Sequence, residues 1–214
     1  PGAISKLVQA IGQGKSVAYA SEAGMPLIAD PGFERGRAVL HAEHQVTSAP
    51  GPSAVLTALV LAGLPTDAFF FAGFLPNAKS ARQTALQKLQ DVPGTLVFYE
   101  SPKRLAAFLS DAAGILGAER QAVVCRELTK KFEETTRGTL RELAANYGGK
   151  SVKGEVVVVV DRGRSEKITT VGLEEELRSA LKTHSMRDAV DLVANAHEMP
   201  RRQVYQLALA LSKE

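Results

Sequence analysis

The chain has 214 residues, with 26 Lys and Arg against 23 Asp and Glu and a net charge of +3. That length supports one large or two small domains whose core folds without staples, and a single cysteine rules out an intramolecular disulfide framework. The longest apolar runs are strand-sized, as at Val156 to Val160, which excludes a helical bilayer span.

Taken in order, Ile4 to Ile11 reads as a helix stopped by Gly12 and Gly14, and Val17 to Ala20 as a short strand. Next comes Ser21-Glu-Ala-Gly-Met-Pro-Leu-Ile-Ala-Asp-Pro-Gly-Phe33, a loop of glycines and prolines that gives way to a helix from Glu34 to His41. The pattern repeats at once. Gln45 to Ser48 reads as a strand, Pro50-Gly-Pro-Ser-Ala-Val55 as a loop, and Ser53 to Ala62 as a helix capped by Ser53 and stopped by Gly63. Glycine lets backbone approach a ligand, proline fixes a loop, and the first N–H groups of a helix are free to bind something polar. Two strand–loop–helix units in succession predict a parallel sheet with its loops gathered at one edge, where ligands bind.

The second half reads as strands and helices in alternation. Strands are expected at Phe69 to Phe71, Thr95 to Tyr99, Ala122 to Arg126 and Glu155 to Asp161, with a weak edge strand at Phe132 to Arg137. Glu155 to Asp161 is so apolar that both its faces must be covered. Helices are expected at Ala78 to Leu89, Pro102 to Leu116 and Thr139 to Tyr147. Pro65-Thr-Asp67 is the predicted boundary between two α/β units, so that the domains are 1–66, 67–162 and 163–214. A hydrophilic linker from Gly163 to Thr170 leads to three short helices, Leu173 to Leu181, Met186 to Ala196 and one starting near Pro200. Their turn at His197-Glu-Met-Pro200 looks like a helix-turn-helix.

Charge is uneven along the chain. Residues 73–154 carry thirteen Lys and Arg against eight Asp and Glu, whereas each flank is slightly acidic. The excess gathers at Lys79 and Arg82, at Lys103 and Arg104, and at Lys130, Lys131 and Arg137. A polyanion favours such a surface. Composition by itself is explained as well by an ordinary solvated face. Cys125, in an apolar run, reads as a buried strand thiol that suits a reducing compartment. His41 and His44 lack the carboxylates or cysteines of a metal site, so no metal is expected.

The two loop motifs, together with Gly73-Phe-Leu-Pro76, Thr95-Leu-Val-Phe-Tyr-Glu-Ser-Pro-Lys-Arg-Leu105, Arg126-Glu-Leu-Thr-Lys130, Arg137-Gly-Thr-Leu140 and Lys153-Gly-Glu-Val156, carry a resemblance. In this order they resemble the tetrapyrrole methylase-like superfamily, and within it the ribosomal RNA small subunit methyltransferase I family. The resemblance runs from about Leu7 to the C-terminus. It implies two α/β units of the methylase type, the first N-terminally incomplete, with a helical C-terminal module. It also implies S-adenosylmethionine as cofactor and 2′-O-methylation of a cytidine ribose in 16S ribosomal RNA, free or in the small subunit. A cytoplasmic homodimer that meets no membrane completes the family picture. Where the family reads Ser-Asp-Ala-Gly-Thr-Pro, this chain has Glu22 and Met25, which keeps backbone contacts but removes a threonine hydroxyl.

Carried over residue by residue, the family's contact loops imply cofactor binding by the backbone of Ala23, Gly24 and Met25. Pro26 shapes the turn, Ile28 lines the cleft, and Ser53 and Ala54 meet the methionine or ribose end. Glu100 holds a post-strand position, and Gly138 admits the adenine. Glu100, Glu127 and Lys130 are polar residues at strand ends and so the candidates for a general base. Glu127 reads rather as a structural ion-pair partner of Arg126 or Arg104 than as a base. For RNA the candidates are Lys79, Arg82, Lys103 and Arg104, with Arg187, Arg201 and Arg202 in the tail. Two other readings stay open here: a methylase acting on a corrin or porphyrin precursor, and a non-catalytic RNA-binding protein.

Overall fold

The computed structural model describes residues 2–163, 170–197 and 199–211. Along the first stretch run α1 (Gly2–Gly12), α2 (Phe33–His41), α3 (Ala54–Ala62), β1 (Phe69–Phe74), α4 (Lys79–Leu89) and β2 (Thr95–Glu100). They are followed by α5 (Leu105–Leu116), β3 (Gln121–Arg126), β4 (Glu134–Thr139), α6 (Leu140–Tyr147) and β5 (Val156–Val160). After residue 170 come α7 (Thr170–Leu181), α8 (Met186–Ala196) and α9 (Arg201–Leu211). The chain divides into two compact units, residues 1–163 and 164–214.

The sheet has the order β1-β2-β5-β3-β4. Only β1 and β2 run parallel, and the other pairs are antiparallel. The carboxyl ends of β1, β2 and β3 therefore share an edge with the start of β5. β5 explains how the layers form. Val156, Val158 and Val160 enter one core with α4, α5 and α6, through Leu86, Phe108, Leu109 and Leu143. Val157 and Val159 enter another with Val55, Ala58 and Leu59 of α3. All five valines are buried, as the apolar run predicts, and each buried valine contributes roughly 1.5–3 kcal/mol of transfer free energy.

Local chemistry sets several ends. Gly63 stops α3 in the left-handed conformation. Thr139 accepts from the Glu142 N–H while the Glu142 carboxylate accepts from the Thr139 N–H, a complete capping box. α5 starts at Leu105 rather than Pro102, because residues 102–104 form a turn before it.

Two expected strands are absent. Neither Val17 to Ala20 nor Gln45 to Ser48 is a strand; both are exposed and have no ladder partner. An isolated extended segment has no sheet hydrogen bonds to hold it. The parallel sheet predicted from them does not form; the observed sheet is mixed because β5 and β4 pair antiparallel with their neighbours. The Pro65-Thr-Asp67 boundary lies inside the first compact unit, where α3 packs on the same sheet as the later helices. The linker expected at Gly163 to Thr170 falls largely on residues 164–169, outside the described residues.

In the second unit α7, α8 and α9 bury Leu173, Leu177, Val190, Val193, Val204 and Ala208 against one another. Ser185 caps α8 by accepting from the Asp188 N–H. His197 and Glu176 pair at 2.7 Å across the helices. Glu198, in the expected turn, lies outside the described residues. Among the described residues no helix is long and apolar enough to cross a membrane.

Candidate active site

A cleft of about 450 Å³ opens at the sheet edge where β1 and β2 end and β5 begins. Ligand pockets span roughly 300–1,000 Å³, so its volume is that of a small-molecule site. Loop residues Ala23, Gly24, Met25, Ile28, Ala29, Asp30, Ser53 and Ala54 line it on one side. Strand and loop residues Phe74, Tyr99, Glu100, Ser101, Pro102 and Gly154 to Val157 supply the rest.

The loop wall holds together through short contacts. The Ser21 hydroxyl donates to the carbonyls of Ala23 (3.3 Å) and Gly24 (3.1 Å), and the Tyr19 hydroxyl donates to the Pro31 carbonyl (2.7 Å). The Met25 sulfur packs so closely on Gly51 that a Cβ there would sit 3.2 Å away. Met25 thus ties the first loop to the second. Leu27 (φ 71°) and Ala29 (φ 57°) both adopt the left-handed conformation around Ile28. For residues with a Cβ that costs about 1–2 kcal/mol each, and such strain gathers at functional sites.

The sheet wall carries the polar chemistry. Glu100 is buried, and its Oε1 accepts from the Ser101 N–H at 2.6 Å and lies 2.6 Å from Arg104 Nη2. Its other oxygen, Oε2, is buried without a partner. Burying an oxygen in that state is unfavourable unless something else donates to it. Tyr99, the preceding residue, packs on the α3-side core with its hydroxyl pushed up, chiefly by burial and then by the negative charges of Asp30 and Glu155; the Val55 N–H opposes this. Asp30, Glu100 and Glu155 line the cleft, and among the described lining residues there is no lysine or arginine. Glu100 is paired with Arg104 and Glu155 with Lys130, so two of the three lining carboxylates are already balanced by a cation.

Glu127 and Lys130 lie outside this lining. Glu127 accepts from the Glu155 N–H and from Lys130 Nζ, both at 2.9 Å, and Lys130 also donates to Glu155 Oε2 at 2.9 Å. The Lys130 hydrogen bond, with the Glu155 N–H, holds the Glu127 carboxyl below the usual carboxylate range. Hydrogen bonds to Glu155 and Glu127 push Lys130 up, which keeps it an ammonium and opposes service as a neutral base. A Cβ on Gly154 would overlap the Glu127 carboxyl. The trio thus clamps the turn that presents Gly154 and Glu155 to the cleft. Its partner is Lys130, not the arginines considered from sequence, since Arg126 pairs with Glu134 (2.7 Å) and Arg104 with Glu100.

Of the expected cofactor residues, Ala23, Gly24, Met25, Ile28, Ser53, Ala54 and Glu100 come together in the cleft. Pro26 shapes the turn without lining it, and Gly138 sits on β4 against Glu142 and Leu143, away from the lining. The expected RNA contacts separate as well. Lys79 and Lys103 are exposed on the segments that leave β1 and β2. Arg82 is buried, its Nε 2.8 Å from Asp111 Oδ2, so it is a core ion pair rather than an RNA contact. Arg104 is committed to Glu100, the Leu75 carbonyl and Asn77. Arg187 and Arg202 are exposed, and Arg201 pairs with Asp191. Cys125 is buried with its thiol pushed up by burial, a packing residue. Among the described residues no group of three His, Cys, Asp or Glu side chains is placed to hold a metal. Sequence reasoning missed Asp30, Phe74, Tyr99, Glu155 and Val157. Asp30, Phe74, Tyr99 and Glu155 all stood in the motifs that carry the resemblance, but none of them was singled out as a site residue.

Residues 3–144 match the family described as Tetrapyrrole (Corrin/Porphyrin) Methylases, and residues 172–212 match the RsmI C-terminal HTH domain. The ribosomal RNA small subunit methyltransferase I of Mycobacterium bovis is 44% identical over 214 residues, covering 99% of this chain and 74% of that protein. The protein of the same name from Halalkalibacterium halodurans is 37% identical over 94% of this chain and 72% of its own length. Among solved structures, a cobalt precorrin-4 methyltransferase aligns with a TM-score of 0.54 at 15% identity, over 74% of this chain and 69% of that one. Uroporphyrin-III C-methyl transferase from Thermus thermophilus, complexed with S-adenyl homocysteine, aligns with a TM-score of 0.51 at 16% identity, over 73% of this chain and 70% of that one. These two likenesses concern the fold.

Proposed function

This chain belongs to the tetrapyrrole methylase family and, within it, to the ribosomal RNA small subunit methyltransferase I group, and from that premise we propose that its cleft takes S-adenosylmethionine and methylates the 2′-hydroxyl of a cytidine ribose in 16S RNA. When bound, S-adenosylmethionine supplies an electrophilic methyl on a sulfonium. Three cleft properties suit it. The volume is that of a small-molecule site, the lining holds carboxylates and no lysine or arginine among its described residues, and the loop wall offers backbone groups at Ala23, Gly24 and Met25 that survive the exchange of threonine for methionine.

The observation that carries the proposal is the unpartnered Oε2 of Glu100. Arg104 and the Ser101 N–H fix Oε1, which orients the carboxylate and leaves the second oxygen, enclosed in this structure, without a donor. A ribose hydroxyl is a weak acid and must shed its proton as the new bond to carbon forms. Glu100 is the group that receives this proton. Glu127 and Lys130 act one step away, by holding Glu155 and Gly154 in the cleft wall. Lys79 and Lys103, with Arg187 and Arg202 of the helical unit, meet the RNA backbone. A small-subunit substrate and the buried thiol suit a cytoplasmic location. The exposed Leu56 and Val60 on the outer side of α3 suit a second copy, and sedimentation measures that state.

Glu100→Gln tests the central role. As proton acceptor, Glu100 contributes about 10²–10⁴ in kcat, so the variant loses that much turnover while the cofactor Kd stays within a few-fold. Equal losses in turnover and in cofactor affinity contradict the role and leave Glu100 a binding residue.

A further inference from the structure

Phe74 ends the edge strand β1 and lines the cleft, yet 57% of it is exposed. Its position is not the one that strand alternation gives. Phe71 opposes Val97 and packs with the α3-side core, whereas Ala72 packs with the opposite core. By a two-residue period Phe74 belongs on the face of Ala72. The register shifts between Phe71 and Gly73, so that Ala72 is an extra residue and Gly73 opposes Phe98. Gly73 takes φ 64°, a conformation that favours glycine. This bulge turns Phe74 onto the face of Phe71 and Tyr99, toward the cleft, which is how bulges beside active sites re-aim a side chain. The Tyr99 ring stands edge-on to both phenylalanines, at 4.9 Å from Phe71 and 5.5 Å from Phe74. The Phe74 ring is thus braced by Tyr99 and largely open to solvent.

We propose that Phe74 is the platform on which the base of the target RNA nucleotide stacks while its ribose is methylated. The proposal rests on the RNA-methylation reading above and adds a specificity-determining residue to it. A single-stranded nucleotide is gripped by stacking on an aromatic side chain. The charge pattern favours the same occupant. Lys79 and Lys103 stand exposed just beyond the ends of β1 and β2, whereas no lysine or arginine is among the described lining residues of the cleft. A nucleotide therefore enters with its neutral base and sugar and leaves its phosphates at the rim. The cofactor-facing loops, 23–28 and 53–54, belong to other segments than the strand that carries Phe74.

The test uses the full chain with Phe74→Ala, Phe74→Leu and Phe74→Trp, each checked by thermal melting. Leucine keeps the apolar bulk and removes the ring face, so it guards against a folding defect in the alanine variant. Stacking on one aromatic changes affinity by about 5- to 150-fold. The alanine and leucine variants are expected to raise the KM for small ribosomal subunits by that range. Cofactor Kd by calorimetry stays within twofold, and tryptophan restores KM. A cofactor Kd that weakens in step with KM overturns the proposal, because the ring then serves the cofactor. An unchanged KM in the leucine variant also overturns it. Equilibrium binding of small subunits, measured without turnover, separates the two readings. Wild-type protein that binds subunits but moves no methyl refutes the RNA-methylation reading, and the platform is then judged by whether Phe74→Leu weakens that binding.

Discussion

Residues 69–160 and residues 2–53 lie in one compact unit but are held by different means. In the first region every strand has a ladder partner, and alternate valines of β5 feed two cores. In the second, Val39 is the one buried residue among those described, while Val17, Tyr19, Leu27, Ile28, Phe33, Leu40 and Val46 are exposed. The cleft is built between them. Its sheet wall brings Tyr99, Glu100 and Val157 on a well-buried frame, and its loop wall brings Ala23 to Asp30 on turns closed by a few hydrogen bonds. The contrast assigns fixed chemistry to the sheet wall and adaptable binding to the loop wall, since mobile binding segments come from the low-stability end of a fold.

The largest effect is expected where the sheet region hides charge. Arg82 and Asp111 have side chains 6% and 7% exposed, and Gln83 also donates to Asp111. Removing one partner leaves an uncompensated buried charge, so Arg82→Ala is expected to cost about 3–5 kcal/mol in chemical denaturation. Replacing both with Met and Leu is expected to cost much less. Equal losses in the two cases contradict a core pairing and return Arg82 to the surface role that sequence suggested.

The clamp behind the cleft gives a pH-dependent effect of intermediate size. The folded state holds Glu127 below its ordinary value, so its contribution is present above the unfolded carboxylate range, about pH 4.3, and fades as pH falls through the lower folded value. Lys130 is raised, so its contribution is present below about pH 10.4 and fades as pH rises through the higher folded value. Glu127→Gln is therefore less stable than wild type at pH 7, and the gap closes on acidification below about pH 4. Parallel melting curves against pH check this. A gap that stays constant to pH 3 breaks the link between the clamp and ionisation.

The smallest effect belongs to the loop wall. Tyr19→Phe removes the exposed hydrogen bond to the Pro31 carbonyl, which is expected to cost about 0.5–1.5 kcal/mol locally. Amide exchange in residues 15–33 rises while that in β5 does not change. Faster exchange in β5 as well means that the two regions unfold together and the contrast fails.

Chain features with a local cause were legible in the sequence. Gly63 stops α3, Thr139 starts α6, and the valine run is a doubly buried strand, each because adjacent residues decide the outcome. The two loops that meet at Met25 and Gly51 were legible from their glycines and prolines. What depends on distant partners was not. Val17 to Ala20 and Gln45 to Ser48 have strand-like composition but no ladder neighbour. Arg82 looks like any surface arginine until Asp111, 29 residues on, is placed against it. Glu127 chose Lys130 because its own φ of 50° turns the chain back on itself. Phe74 follows a bulge whose register exists only once β1 is laid on β2. Gly138 lies on β4, at the opposite edge of the sheet from β1, and its motif neighbours Arg137, Thr139 and Leu140 are likewise outside the cleft lining.

The most direct measurement incubates the full chain with small ribosomal subunits and S-adenosylmethionine labelled at its methyl, then digests the RNA to nucleosides. The account predicts label in 2′-O-methylcytidine, lost in Glu100→Gln. Label on a base, or none in RNA under conditions where the chain binds the donor, contradicts it.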